Sequence, residues 1–218
     1  MSLTVVKCGG AALAKESFVL ERFVDPGAGA VVVHGAGARI SRALAEAGID
    51  STFVGGRRVT SEEALPIVRE AFRQENEELC RAIGPPAFGL MGDDAGLMAR
   101  RVAELGHVGM LLPVVPAVLW GLLRTGSVPV IAPLARGPLN VNADDAAAVL
   151  AVALGADRLV FVSDVPGVIV RGRVARRLTE SDISTLDLVG GIVPKLQAAV
   201  IAAREGVRVD VGATAVVA

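Results

Sequence analysis

Six short runs in this chain are rich in apolar residues, five of them nearly unbroken, and each ends at glycine, proline or a charged residue. They are "LTVVKCGG" at residues 3–10, "AVVVHGAG" at 30–37, "AFGLMG" at 87–92, "VPVIAP" at 128–133, "RLVFVSD" at 158–164 and "RVDVG" at 208–212. A strand with one wet face alternates apolar and polar residues, whereas a strand covered on both faces is apolar throughout. Between the runs lie helical patterns at roughly 38–48, 61–82, 95–104, 115–125, 144–155 and 194–205. Strand, helix, strand, repeated, predicts an α/β fold around a mostly parallel sheet. The composition agrees: 52% of residues are hydrophobic, only 3% are aromatic, and there is no tyrosine. Such a chain covers Val/Leu strands with Ala-rich helices.

The 218 residues suit one sizeable domain or two closely packed lobes, with a core large enough to need no disulfide or metal staple. The Gly/Pro-rich stretch 135–140 is the best joint between lobes. Net charge is −1 with the signs mixed, which argues against a nucleic-acid footprint. Cys8 and Cys80 lie far apart without a CxxC or Cys/His cluster, so both read as small buried residues in a reducing compartment. The N-terminal residues enter a strand pattern directly, without the look of a signal peptide. The apolar run at 108–123 contains Pro113 and Pro116 and is too short to span a bilayer. It reads as a loop or strand leading into a buried helix, and no membrane association is expected.

Ligands of an open parallel sheet bind beyond the carboxyl ends of its strands. That rule selects residues 7–10, 34–37, 140–145, 163–167 and 190–195. Two of these segments are glycine-rich turns running toward helices, where backbone N–H groups can approach an anion. Neither is a Walker A loop, and "GAGARIS" has the first two glycines of GxGxxG but not the third. Lys7 ends an apolar strand, where a charge is costly unless it is used or paired. Lys195 follows "GGIVP", a turn and helix start with Pro194 near the first helical position. Two lysines beside two such turns make an anion site. Asp144, in the polar seam "NVNADD" at 140–145, is the natural carboxylate to hold both. It stands close to a helix start, where it can also cap.

Taken in order, "VVKCGGAAL", "VVVHGAGARI", "GRRVTSEEA", "GLMGDDAGL", "ELGHVG", "VPVIAPLA", "LNVNADDAAAVLAVALGADRLVFVSDVPGV" and "GGIVPKLQAAV" resemble segments of the acetylglutamate kinases of the amino-acid kinase superfamily. The resemblance spans about residues 3–211. It implies a three-layer αβα sandwich. Residues 1–135 would form a lobe for the acyl amino acid and for dimerisation, and 136–218 an abbreviated nucleotide lobe. It implies transfer of phosphate from ATP to the side-chain carboxylate of N-acetyl-L-glutamate in arginine biosynthesis, by a cytoplasmic homodimer. Mg²⁺ would arrive with ATP, held largely by phosphates and water.

Carried onto this chain, the resemblance makes Lys7 and Lys195 the groups that neutralise the transferring phosphoryl and Asp144 the group that orients them. Backbone N–H groups at Gly9, Gly10, Ala36 and Gly37 would cradle phosphoryl oxygens. Arg58 would pair with the substrate α-carboxylate, and Asn140 and Asn142 would bind substrate. Ser163, Asp164 and Gly167 would border the nucleotide. The attacking carboxylate is already ionised, so no general base is required. His34 is expected to shape its loop and His107 to belong to a lid segment. Asp93 and Asp94 are expected in a solvated turn. Asp145 stands where the family usually has a neutral residue and is expected to be solvated.

Several departures stand out. Ala36 replaces a glycine of the family's turn and would be strained at positive φ. The regions at 14–28, after Asp164 and at the C-terminus are short, which bears on ATP affinity; the final "ATAVVA" can serve as a closing strand. No long helix precedes the first strand, which suggests a dimer without arginine feedback. Two alternatives remain. One is a kinase for a related acyl or carrier-linked acidic amino acid. The other is a non-catalytic paralogue that senses acetylglutamate or arginine, a role with no use for two transfer lysines.

Overall fold

A computed structural model describes residues 2–9, 20–162, 166–188 and 190–218. Its core is an eight-stranded sheet in the order β14-β16-β15-β11-β1-β2-β8-β5. These strands are β1 (Leu3–Cys8), β2 (Gly29–His34), β5 (Ala87–Met91), β8 (Val128–Ala132), β11 (Arg158–Val162), β14 (Arg177–Thr179), β15 (Arg208–Val211) and β16 (Thr214–Val217). Every neighbouring pair is parallel except β15 with β16. The closing strand expected in "ATAVVA" is thus present; it and β14 run antiparallel to the other six strands. A four-stranded sheet, ordered β6-β7-β10-β9, joins β6 (Ala99–Arg101), β7 (Val108–Leu111), β9 (Leu134–Ala135) and β10 (Leu139–Val141). Two hairpins complete the strands: β3 (Phe53–Val54) with β4 (Arg57–Arg58), and β12 (Ile169–Val170) with β13 (Arg173–Val174).

Alternation along β1 explains the layers. Leu3 and Val5 belong to one buried cluster with Val31, Ile131 and Phe161, packed against residues of helices α3 (Ala117–Arg124), α4 (Ala143–Ala153) and α6 (Ile192–Arg204). Val6 and Cys8 face the other side with Val32 and Val130, against Leu79 of α2 (Ala64–Ile83). Helix α1 (Gly37–Glu46) packs on α2 through Ile40, Leu44 and Val68. The short α5 (Glu180–Thr185) closes its first turn with a Thr179–Asp182 capping box. The result is the expected αβα sandwich. Every residue of β1 is buried, as its unbroken apolar run requires.

One expected helix is absent. Residues 95–104 hold strand β6 and the start of a short 3-10 turn, Ala103–Leu105. Gly96 and Gly106 bracket the segment at φ +94° and +81°. A Cβ on Gly106 would lie 2.3 Å from the Thr60 carbonyl oxygen. Two left-handed turns ten residues apart leave room for a strand and not for a helix of useful length. The run at 108–123 is, as expected, a strand and then a helix. That helix buries only one face, through Leu119 and Leu123, and leaves Trp120 about 40% exposed.

Candidate active site

The site lies at the carboxyl ends of β1 and β2. Lys7 shares its side of β1 with Leu3 and Val5, so it points toward the face covered by α4 and α6. Those two helices bring the other charges. Asp144 is the second residue of α4 and Lys195 lies in the first turn of α6. The Lys7 Nζ is 2.8 Å and the Lys195 Nζ 2.9 Å from the same oxygen, Asp144 Oδ1. Lys195 also stands 5.1 Å over the Phe161 ring. All three side chains are almost fully withdrawn from solvent.

Burial disfavours every one of these charges. For Asp144 it works against ionisation, but the two ammonium groups outweigh it and hold the carboxyl below the usual range. For Lys195, burial and then the charge of Lys7 push the ammonium below its ordinary value, against the pull of Asp144. One carboxylate therefore fixes two ammonium groups and leaves the cluster a net cation.

Asp144 does not cap its helix. That task falls to Asn142, whose side-chain oxygen accepts from the backbone N–H of Asp144 at 2.8 Å and of Asp145 at 3.1 Å. The cap satisfies the helix start, so the Asp144 carboxylate is available to the lysines. The Asn142 amide nitrogen donates to Gly56 O at 2.9 Å.

Lys7, Ala36, Gly37, Arg58, Asn140, Asn142 and Asp144 line one cavity of about 180 Å³. Arg58 is only 6% exposed and sits 4.5 Å over Phe53. It donates to Ser51 Oγ, to Gly37 O at 3.1 Å and to Ser41 Oγ at 3.0 Å. It has no acidic partner among the described residues, and burial pushes its guanidinium below the ordinary value. A buried cation surrounded by neutral oxygens is a receptor for an anion. Asn140 donates to Thr60 Oγ1 at 3.1 Å, and Thr60 donates to Arg58 O at 2.9 Å. Asn140 thereby braces the strand that carries Arg58.

Ala36 has φ −133°, an ordinary value for an L-residue, and precedes the first residue of α1, so the feared strain is absent. Gly9 directly follows β1, and a Cβ there would meet open space. Gly167 is bridged to Gly212, and a Cβ there would fall 2.7 Å from Val174, so close packing accounts for it. Gly10, Ser163 and Asp164 lie outside the described residues.

His34 is fully buried, and its Nε2 lies 3.0 Å from the Asn76 amide nitrogen, which also donates to Val130 O. The imidazole accepts there, and burial lowers its pKa to about 4. It is neutral and braces the turn, as expected. The backbone of His107 links Thr60 O to the Asn140 N–H, which ties it to the second sheet. Cys8 is buried, which pushes its thiol up to about 12 despite Lys7, and Cys80 is half-buried; both are free. Asp94 is exposed, but Asp93 is mostly buried against Arg69.

Asp145 is not solvated. Its carboxylate pairs with Arg57 at 2.5 Å, and about three-quarters of each side chain is covered. Neither Arg57 nor Gly56 was signalled by the sequence as part of the site. The only hint was an unexplained second arginine beside Arg58.

A family model described as the amino acid kinase family matches residues 2–212. The acetylglutamate kinase of Rubrobacter xylanophilus is 41% identical over 95% of this chain and 87% of its own. That of Helicobacter hepaticus is 36% identical over 94% and 82%. A solved structure from Streptococcus mutans superposes with a TM-score of 0.87 at 28% identity, covering 99% of this chain and 98% of that one. The N-acetylglutamate synthase of Neisseria gonorrhoeae, at 22% identity, covers 100% of this chain and 59% of its own with a TM-score of 0.83, and shares the fold.

Proposed function

This chain belongs to the amino acid kinase family, and from that premise we propose that it phosphorylates the side-chain carboxylate of N-acetyl-L-glutamate with ATP, in arginine biosynthesis. The curated acetylglutamate kinases at 36–41% identity support the substrate assignment. The observation that carries it is the union of two cation sites around one cavity. Lys7 and Lys195 are gathered on Asp144, and the uncompensated Arg58 lies in the same wall.

In this reading a carboxylate oxygen of acetylglutamate forms a bond to the γ-phosphorus of ATP. The bond from that phosphorus to the β–γ bridging oxygen breaks, giving N-acetyl-L-glutamyl 5-phosphate and ADP. The nucleophile needs no proton removed. Charge on the transferring group and on the leaving oxygen is what must be stabilised. Lys7 and Lys195 provide that, Asp144 holds them in place, and the N–H groups of Ala36 and Gly37 supply further donors. Arg58 receives the α-carboxylate, while Asn140 and Asn142 shape the acyl side. Gly9, Gly10, Ser163, Asp164 and Gly167 are assigned to the nucleotide side. Residues 1–135 are proposed as the acyl lobe and 136–218 as the nucleotide lobe, with Gly9 and Gly10 reaching the nucleotide, and Asn140 and Asn142 the acyl substrate, from the opposite lobe.

Among the described residues, no group of three or more His, Cys, Asp or Glu side chains could cage a metal ion. Mg²⁺ is proposed to arrive with ATP, held by its phosphates and water, where it would offset their charge. No helix among the described residues is long and apolar enough to cross a membrane, and a cytoplasmic setting is proposed with the pathway. A homodimer is proposed as well; β5, an edge strand, presents Phe88 about 47% exposed.

The test is ADP release with N-acetyl-L-glutamate, ATP and Mg²⁺. Turnover that requires acetylglutamate and collapses in Lys7→Ala is the expected result. Folded protein that binds acetylglutamate in calorimetry but never releases ADP would overturn the kinase reading.

A further inference from the structure

Asp145 follows Asp144 directly, yet takes no part in the lysine cluster. Its carboxylate turns onto Arg57, in the β3–β4 hairpin. Two further contacts land on the same hairpin. The Asn142 amide donates to Gly56 O, and Gly56, at φ +75°, backs onto Pro194 so tightly that a Cβ would lie 2.9 Å from the proline ring. Asn142 and Asp145 open the helix that carries Asp144, and Pro194 precedes Lys195. The hairpin is thus held from the two helices that supply the reaction centre.

A hairpin with two residues per strand has little stability of its own. Phe53 and Val54 are more than half exposed, so apolar burial does little to seat it. Arg57 and Arg58 are consecutive strand residues and point to opposite faces. Arg57, which also lines the cavity, reaches to Asp145, and Arg58 reaches the other way, to Gly37 and Ser41. Any swing of β4 that broke the first contact would displace the second.

We propose that Asp145 is a positioning residue for the acyl substrate: through Arg57 it clamps β4 to the start of α4 and so fixes Arg58 where the substrate α-carboxylate binds. The identity of that ligand rests on the kinase reading above, whereas the clamp itself rests on geometry alone. The pair divides the labour of two adjacent carboxylates. Asp144 sets the transfer lysines, and Asp145 sets the arginine that recognises substrate.

The experiment compares wild type, Asp145→Asn, Arg57→Gln and the reversed pair Arg57→Asp/Asp145→Arg. Asp145→Asn should raise KM for N-acetyl-L-glutamate about tenfold and leave KM for ATP within about twofold. Arg57→Gln should do the same, with no further loss when the two are combined. The reversed pair should recover most of the affinity. Amide exchange is measured alongside and needs no turnover. The Val59 N–H, which donates to Thr52 O across the hairpin, should exchange faster in Asp145→Asn, while the Ile40 N–H in α1 does not change. Unchanged exchange at Val59 overturns the clamp, even if acetylglutamate proves not to be the substrate. Equal rises in both KM values, or a reversed pair no better than the single variants, overturn it too.

Discussion

The chain buries positive charge in two places and treats them differently. Lys7 and Lys195 come with their own counter-ion, Asp144, within 3 Å of both. Arg58, in the wall of the same cavity as Lys7, donates only to hydroxyl and carbonyl oxygens among the described residues. The first site is assembled before any ligand arrives. The second is left short of negative charge, and in the proposed function the substrate carboxylate completes it. Pre-assembled charge stabilises a transition state, whereas uncompensated charge selects a substrate.

Asp144→Asn should break the first site most severely. Turnover should fall roughly 10³-fold, and two buried ammonium groups without a carboxylate should cost about 3 kcal/mol of stability, read by urea unfolding. Arg58→Met should move stability the other way. The unliganded protein should unfold at equal or higher urea, while KM for acetylglutamate rises roughly a hundredfold. If Arg58→Met destabilised the fold as much as Asp144→Asn, the contrast between the two sites would be wrong.

A fourth buried base, His34, sharpens the comparison because it carries no charge. His34 has a native pKa of about 4, set by burial with help from Lys7, against 6.5 in the unfolded chain. Between those values the unfolded state binds the proton and the native state does not, so stability falls as the pH drops. The imidazole contributes about 3 kcal/mol of loss from pH 6.5 to 4. His34→Gln, whose carbonyl can still accept from Asn76, should flatten that part of the curve in unfolding measured across the range. The smallest effect belongs to Gly56→Ala. Positive φ and the approach to Pro194 should cost about 1 kcal/mol, seen as a few degrees in the melting temperature.

Much of the fold was legible because parallel strands buried on both faces leave an unbroken apolar record. The segments at 3–8, 29–34 and 158–162 are of that kind. The failure at 95–104 has the opposite cause. Two glycines that look like ordinary helix punctuation are forced into left-handed turns by tertiary contacts, the Thr60 carbonyl among them. The lysines and Asp144 were legible because a charge at the end of an apolar run has few uses. Asp145 was not. Whether a carboxylate is solvated or clamped depends on a partner 88 residues away, on a hairpin whose strands are too short to leave a period-2 signature. The exchange of roles between Asn142 and Asp144 was hidden for a related reason, since either residue makes a good cap.

The sheet order has a consequence for synthesis on the ribosome. β1 is made first, and one of its edges can pair with β2 early. Its other edge must wait for β11, and Lys7 must wait for Lys195 in a still later helix. For most of translation an apolar strand therefore exposes an open ladder, the kind of edge on which nascent chains aggregate. Lys7 interrupts that strand with a charge one residue before its end. The ammonium proposed for phosphate transfer in the finished protein would also guard the unfinished one.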